Sequence, residues 1–190
     1  MLSKKDVRNT IRKQRLSMVP GQVASCSESI IKHVIEFKPF LMAQTVAFYL
    51  PIDNEVDTSL LLNYQKVISK KLCLPVIRPG HKLEFSHFKP GDSLQSGVYG
   101  ILEPCNNKWL DINTIDMFLL PLVGFDAKGA RLGYGGGYYD RALSHFNKNG
   151  EKPVIIGLAY QFQEVAQLPC AEHDVPLHYI VTENGVHSFL

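Results

Sequence analysis

The sequence predicts an α/β fold, a mainly parallel sheet with helices on both faces, three layers in one domain over residues 1–190. Three observations support that class. Short, continuous apolar runs recur at residues 45–50 (TVAFYL), 116–123 (DMFLLPLV) and 153–160 (PVIIGLAY). A strand that alternates polar and apolar residues faces water on one side, whereas a continuously apolar strand is covered on both, as in parallel sheets. Segments with helical spacing separate the runs, the alternation expected of βα units. A glycine cluster, RLGYGGGYYD at residues 131–140, follows one apolar run and precedes a helical segment. In sheets of this kind ligands sit at the carboxyl ends of the strands, where such a loop would lie.

Taken in order, Ser3 caps a helix running to about Met18, with Val7 and Ile11 on its inner face. Pro20 suits the first turn of a second helix reaching about Phe37, because a first-turn residue needs no amide proton. After the strand at 45–50, residues 59–70 read as a helix able to bury Leu61, Leu62, Val67 and Ile68. A strand at 71–77 follows, and KLEFSHF at 82–88 alternates as a half-exposed strand does. Residues 89–111 are turn-rich and irregular, holding Gly91, Gly97, Gly100, Pro104 and the only tryptophan, Trp109. Beyond the strand at 116–123 and the glycine cluster comes a helix over 138–146. A strand at 153–160, a short helix near 163–168 and a last strand, HYIVT at 178–182, complete the expectation.

A chain of 190 residues, 45% of them hydrophobic, is large enough for one sizeable core, and neither a linker nor an internal repeat divides it. The formal charge of +2 is nearly neutral and does not predict a nucleic-acid partner. No signal-peptide core follows the basic start. The most apolar stretch, 37–50, is interrupted by Lys38, Pro39, Gln44 and Thr45, so no membrane span is expected. Cys26, Cys73, Cys105 and Cys170 form no C-x-x-C pair and are expected as buried free thiols in a reducing cytosol. A cytoplasmic protein is expected.

The glycine cluster is the most informative segment. Glycine reaches positive φ and lets backbone N–H groups approach a ligand without a Cβ in the way. Between a strand and a helix start, those groups can converge on a phosphate, helped by the helix dipole. Arg131 could add a counter-charge, and Asp140 could hold a cation on a nucleotide. The same composition also suits a plain strand-to-helix turn. No Gly-Lys-Ser/Thr is present, and Tyr138 stands where a dinucleotide fingerprint has its third glycine.

Four further groups carry possible chemistry. Lys4, Lys5, Arg8, Arg12, Lys13 and Arg15 face a single acid, Asp6, on the first helix, and Lys4, Arg8 and Arg12 form one stripe. That stripe is either a solvated basic face or a set of phosphate contacts. In YLPIDNEVDT at 49–58, Asp57 or Thr58 explains itself as a helix cap, but Glu55 does not. Asp140 and Asp174, the latter in Glu172-His173-Asp174, are candidate magnesium ligands, since Mg²⁺ commonly takes one or two carboxylates plus phosphate oxygens. Tyr138 offers a stacking surface, whereas Tyr139 and Trp109 are expected to pack.

The string RLGYGGGYYD resembles the loop signature RLGxGxGYYD of 5-formyltetrahydrofolate cyclo-ligases (methenyltetrahydrofolate synthetases). The basic first helix, the P-x-x-x-E-V-x-T block at 51–58 and the late His-Asp pair match the same family. The resemblance implies ATP contacts at Lys4, Lys5, Asp6, Val7 and Arg8. It implies further ATP contacts at Arg131, Leu132, Gly133, Tyr134, Gly135, Gly136, Gly137, Tyr138 and Tyr139. It implies reduced-folate contacts at Leu50, Glu55, Tyr134, Gly135, Gly136, Gly137 and Tyr138, with Arg131 and Tyr138 at the reacting centre. Asp140 and Asp174 match the family's Mg²⁺ positions. Position 134 is arginine and position 136 lysine in some relatives, so Tyr134 and Gly136 each remove one charge. The implied reaction converts 5-formyltetrahydrofolate to 5,10-methenyltetrahydrofolate with MgATP, in a monomer with no nucleic-acid or membrane partner. A silent nucleotide- or RNA-binding relative and a sugar-phosphate isomerase or acyl-transfer enzyme are the competing classes.

Overall fold

The structure is a computed structural model that describes residues 3–106, 108–146, 153–169, 171 and 174–190. Cys170, Glu172 and His173 lie outside the described residues. Helix α1 (Lys4–Leu16) begins at Ser3, whose hydroxyl accepts from the Asp6 N–H while the Asp6 carboxylate accepts from the Ser3 N–H, a reciprocal capping box. Helix α2 (Pro20–Glu36) places Ile30, Ile31, Val34 and Ile35 inward, and the short α3 (Lys38–Met42) follows.

The chain enters the sheet at β1 (Thr45–Ala47), shorter than the predicted 45–50, and leaves it along Tyr49, Leu50 and Pro51. The predicted helix over 59–70 is instead a 3-10 turn (Thr58–Asn63) and a four-residue α4 (Gln65–Ile68), broken at Tyr64. Leu61 and Val67 both point into the core, and residues six apart lie on different faces of an unbroken α-helix. The break at Tyr64 resolves that conflict. The two strands expected here, β2 (Lys71–Arg78) and β3 (Lys82–Phe88), pair antiparallel.

The stretch expected to be irregular holds a small hairpin, β4 (Leu94–Ser96) with β5 (Leu102–Pro104), and an edge strand, β6 (Trp109–Leu110). After β7 (Met117–Pro121) comes a second hairpin, β8 (Gly124–Asp126) with β9 (Arg131–Leu132). The glycine loop therefore follows β9 and not the buried strand directly. Helix α5 (Tyr138–Leu143) is six residues long, shorter than predicted, and β10 (Val154–Leu158) follows. The helix expected near 163–168 is a 3-10 turn (Gln161–Gln163) and then β11 (Glu164–Val165), which pairs with β8. Buried Gln163 explains the difference: its amide donates to the carbonyls of Leu122 and Val123, both at 2.9 Å, and pulls the chain onto β8. β12 (Tyr179–Thr182) is not the last strand, because it turns back through Gly185 (φ 135°) into β13 (Gly185–Ser188).

The main sheet runs β13-β12-β10-β7-β1-β2-β3-β6, with β12, β10, β7, β1 and β2 parallel to their neighbours in that series. Its two faces feed separate cores. Val46, Met117, Leu119, Ile156 and Leu158 join one with α2 and α3, while Ala47, Phe118, Leu120 and Ile155 join the other with Leu143 of α5. A third, smaller cluster packs Val7 and Ile11 of α1 against Val123, Ala130 and Leu132. Helix α1 is thus seated on the β8–β9 side and not on a face of the main sheet, which brings its basic stripe to the strand ends. Of the cysteines, Cys73 is buried as expected, but Cys26 is half-buried and Cys105 exposed. Among the described residues no helix is long and apolar enough to cross a membrane.

Candidate active site

A cavity of about 1420 Å³ opens where β1, β2 and β7 end, with Tyr49, Leu50, Pro75, Ile77 and Pro121 on its walls. A pocket for one drug-sized molecule spans roughly 300–1,000 Å³, so this one has room for two. Residues 131–141 line it as one unbroken wall, and Lys4, Arg8 and Arg12 of α1 close a second side.

The glycine loop is held from behind. Arg8 Nε donates to the Gly133 carbonyl at 2.8 Å, and Arg141 Nη2 to the Gly136 carbonyl at 2.6 Å. Gly135 (φ 103°) and Gly137 (φ 62°) take backbone conformations that a side chain disfavours. The N–H groups of Gly133, Tyr134, Gly135, Gly136 and Gly137 donate to no acceptor among the described residues. With α5 only six residues long, these amides and not a helix dipole make this wall attractive to anions.

Charged side chains surround the loop in pairs. Arg131, nearly buried, donates through Nη2 to Asp140 Oδ1 at 2.6 Å, and the Val175 N–H donates to the same oxygen at 3.2 Å. Lys4 pairs with Asp174 at 3.1 Å. Arg131 Nε is buried and has no hydrogen-bond partner among the described residues. Tyr138 stands at the mouth, where its hydroxyl meets those of Tyr99 and the His81 ring nitrogen, each at 3.3 Å. Tyr99, at the tip of the β4–β5 hairpin (φ 61°), brings part of the 89–111 segment to the rim.

The opposite end is built around Glu55, 4% exposed. Asp53 (φ 50°) and Asn54 (φ 56°) adopt left-handed conformations that are costly for non-glycine residues. The end of α1 holds them there. Arg15 Nε donates to the Asp53 carbonyl at 2.8 Å, Arg12 pairs with the Asp53 carboxylate at 2.8 Å, and Asn54 Nδ2 donates to the carbonyls of Arg15 and Met18. The turn presents Glu55, whose Oε2 accepts from the Ile52 N–H at 3.0 Å and whose Oε1 accepts from the Tyr134 hydroxyl. Burial raises the Glu55 pKa, opposed by the Tyr134 and Ile52 hydrogen bonds and by the charge of Arg15.

Most of the predicted site residues meet at this cavity: Lys4, Arg8, Leu50, Glu55, the whole 131–140 segment and Asp174. Lys5, Asp6 and Val7 do not. Lys5 is exposed, Asp6 serves the Ser3 cap and Val7 packs in the small core. Trp109 lies away from the cavity beneath Arg78, and the Tyr139 ring packs against the second core.

Sequence reasoning missed Arg15. Only 1% exposed, it donates through Nη2 to the Tyr134 hydroxyl and through Nη1 to the Leu122 carbonyl at 3.4 Å, so it supports Glu55 through the tyrosine. The signal was available: Arg15 follows Val7 and Ile11 at four-residue steps on the inner face, while Lys4, Arg8 and Arg12 share the outer one. Tyr99, Glu103 and Arg141 also line the cavity without having been singled out.

A parallel sheet with a large cavity at its strand ends, walled by idle loop amides, paired charges and a buried carboxylate, defines an α/β protein of the small-molecule-binding class. The chain belongs to the 5-formyltetrahydrofolate cyclo-ligase family, whose sequence profile matches residues 1–183. It is 36% identical over 182 residues to the 5-formyltetrahydrofolate cyclo-ligase of Haemophilus influenzae, covering 94% of this chain and 96% of that one. The Escherichia coli 5-formyltetrahydrofolate cyclo-ligase is 34% identical over 180 residues, with 93% and 98% covered. Among solved structures, Aquifex aeolicus 5,10-methenyltetrahydrofolate synthetase superposes with a TM-score of 0.84 at 31% identity, covering 99% of this chain and 93% of that one. The Mycoplasma pneumoniae 5,10-methenyltetrahydrofolate synthetase gives 0.76 at 27% identity, with 96% and 99% covered.

Proposed function

We propose that this protein closes 5-formyltetrahydrofolate to 5,10-methenyltetrahydrofolate, converting ATP to ADP and phosphate. The observation that carries the reading is one cavity with two chemically distinct ends: idle amides and cations at the glycine loop, and a buried carboxylate at Glu55. The first suits phosphates. The second suits the amino and ring N–H groups of a pterin, which can donate side by side to one carboxylate.

A formamide oxygen is a poor leaving group, so ring closure needs activation. In the proposed route the formyl oxygen attacks the γ-phosphorus of ATP, forming an O–P bond as the bond to the ADP oxygen breaks. N10 of the folate then attacks the formyl carbon. A C–N bond forms, the C–O bond breaks, phosphate carries the oxygen away, and the N10 proton passes to solvent. Both nucleophiles belong to the substrate, so the protein mainly positions them and offsets charge.

Within this reading Lys4, Arg8 and Arg131 balance phosphate charge, with Arg131 Nε and the amides of Gly133, Tyr134, Gly135, Gly136 and Gly137 as donors. Leu50 and Tyr138 flank the folate, and Glu55 orients its pterin. The donor set fits Mg²⁺. Asp140 and Asp174 both face the cavity and would hold Mg²⁺ as its one or two protein carboxylates, with phosphate oxygens and water as the other ligands. Mg²⁺ held there would neutralise nucleotide charge. Lys4 and Arg131, now paired with Asp174 and Asp140, would turn to phosphate oxygens while the two carboxylates turn to the metal.

Purified protein mixed with 5-formyltetrahydrofolate, ATP and Mg²⁺ is expected to develop the near-ultraviolet absorbance of the methenyl product, with an absolute need for both ATP and metal. Folded protein that binds MgATP yet yields no chromophore would overturn the reading.

A further inference from the structure

Two buried side-chain polar atoms lack a hydrogen-bond partner among the described residues, Arg131 Nε and the Tyr49 hydroxyl, and both belong to residues that line the cavity. Buried hydroxyls almost always find partners, because leaving one unmade forfeits its hydration with no return. The other polar groups at this end are all engaged. Glu55 accepts from Tyr134 and Ile52, the Tyr160 hydroxyl donates to the Glu55 carbonyl at 3.1 Å, and Thr58 donates to the Tyr49 carbonyl. The Tyr49 hydroxyl alone is idle. It stands on a ring only 3% exposed, where the chain leaves β1 for the Glu55 turn.

Burial pushes the Tyr49 pKa well up, and the charge of Glu55 adds to the effect, so the phenol keeps its proton and acts as a donor. A neutral donor and a carboxylate acceptor at one end of a cavity complement a ligand edge that carries a carbonyl oxygen beside an N–H. The reduced pterin ring has such a lactam edge, at its 4-oxo group and N3–H.

Resting on the folate reading above, we infer that the Tyr49 hydroxyl donates a hydrogen bond to the 4-oxo oxygen of the pterin whose N–H groups Glu55 accepts, and so selects 4-oxo over 4-amino pteridines. Hydrophobic contact with the ring cannot make that distinction. A site that hydrogen-bonds one polar group rejects the analogue lacking it because its own buried partner is then left unpaired.

The test is Tyr49→Phe, which removes one oxygen atom and keeps the ring. Binding of 5-formyltetrahydrofolate and of its 4-amino analogue is measured by calorimetry on both proteins, together with the KM for ATP and the melting temperature without ligand. The variant is expected to bind the 4-oxo folate about tenfold more weakly and to show a narrower preference over the 4-amino analogue. Its ATP KM should stay unchanged. Its ligand-free melting temperature should hold or rise, since an unpartnered buried group has been deleted. Unchanged affinity for the 4-oxo folate, or equal losses for both analogues, would overturn the inference while leaving the folate reading intact. A wild-type protein that binds neither pteridine would remove both.

Discussion

The glycine-loop end and the Glu55 end of the cavity reach their polarity by opposite routes. At the loop end most of the charged groups stay partly open to water, with Lys4, Asp140 and Asp174 side chains 33%, 21% and 19% exposed beside the nearly buried Arg131, and most of the wall is one contiguous segment. At the Glu55 end Arg15 from α1 and Tyr49 and Glu55 from the β1 exit are buried, and Tyr134, itself 38% exposed, reaches in from the loop with its hydroxyl. The open end can exchange partners at small cost, as a site for a charged, metal-bound ligand requires. The buried end is pre-set, and disturbing Arg15, Tyr134 or Glu55 leaves another of the three unsatisfied. Tyr134 belongs to both, since its backbone lies in the loop while its hydroxyl bridges Arg15 and Glu55.

The largest expected effect comes from breaking the buried end at its base. Arg15→Met should cost about 3–5 kcal/mol of folding stability, because the Asp53 and Leu122 carbonyls and the Tyr134 hydroxyl lose their donor together. Urea denaturation measures it. A loss below about 1 kcal/mol would show that Arg15 is the solvated cation its neighbours are. The matching break at the open end is Asp140→Asn, which keeps an acceptor for Arg131 and removes the charge. Turnover should fall by about a hundredfold with little change in melting temperature. Wild-type turnover would withdraw the metal assignment. Asp140→Ala is a poorer test, since nearly buried Arg131 would lose its counter-ion and confound activity with stability.

Tyr134→Phe sharpens the contrast through pH. Burial raises the Glu55 pKa, so the protonated form is favoured in the fold: its contribution to stability is fully present below the ordinary carboxylate range and is lost as pH rises through the raised value. Folate binding has the opposite sign, since it uses the carboxylate and weakens as pH falls through that same value. Removing the Tyr134 hydroxyl deletes the main hydrogen bond holding the pKa down. The acid limb of kcat/KM for folate should therefore move to higher pH, with about a tenfold loss on that limb. The profile for ATP binding should not move. An unshifted folate limb would mean that Tyr134 does not hold Glu55 in its ionised form.

The same contrast governs what was legible in the sequence. The loop end lies in a short string, and both of its candidate metal carboxylates were visible as residue types near recognisable segments. Glu55 stood out only because no helix cap or core role accounted for it. The four-residue spacing with Val7 and Ile11 placed Arg15 inward, but its partners at Asp53, Leu122 and Tyr134 lie far along the chain and were not legible, and Tyr49 read as an ordinary strand aromatic. In the fold, β7 and β10 followed from their apolar runs, but β8, β9 and β11 have two or three residues each, too few for any period to show. The break at Tyr64 came from tertiary demand, with Leu61 and Val67 both drawn inward against the local helical pattern.

The smallest expected effect separates backbone path from space at the open end. A Cβ at Gly135 would lie 3.7 Å from the Arg8 guanidinium carbon, an ordinary contact, so room is not what demands glycine there. Its φ of 103° is what demands it. At Gly133 a Cβ would lie 3.6 Å from Arg131 Nη1, and φ is not in the positive range. Gly135→Ala should therefore turn the neighbouring amides away and raise the KM for ATP about fivefold, while Gly133→Ala should leave it nearly unchanged. If both substitutions weaken ATP equally, added bulk and not the direction of the loop amides is responsible, and the phosphate assignment would rest on the cations alone. If Gly135→Ala instead weakens folate and spares ATP, the loop acts mainly through Tyr134, and the two ends of the cavity are less separate than their construction implies.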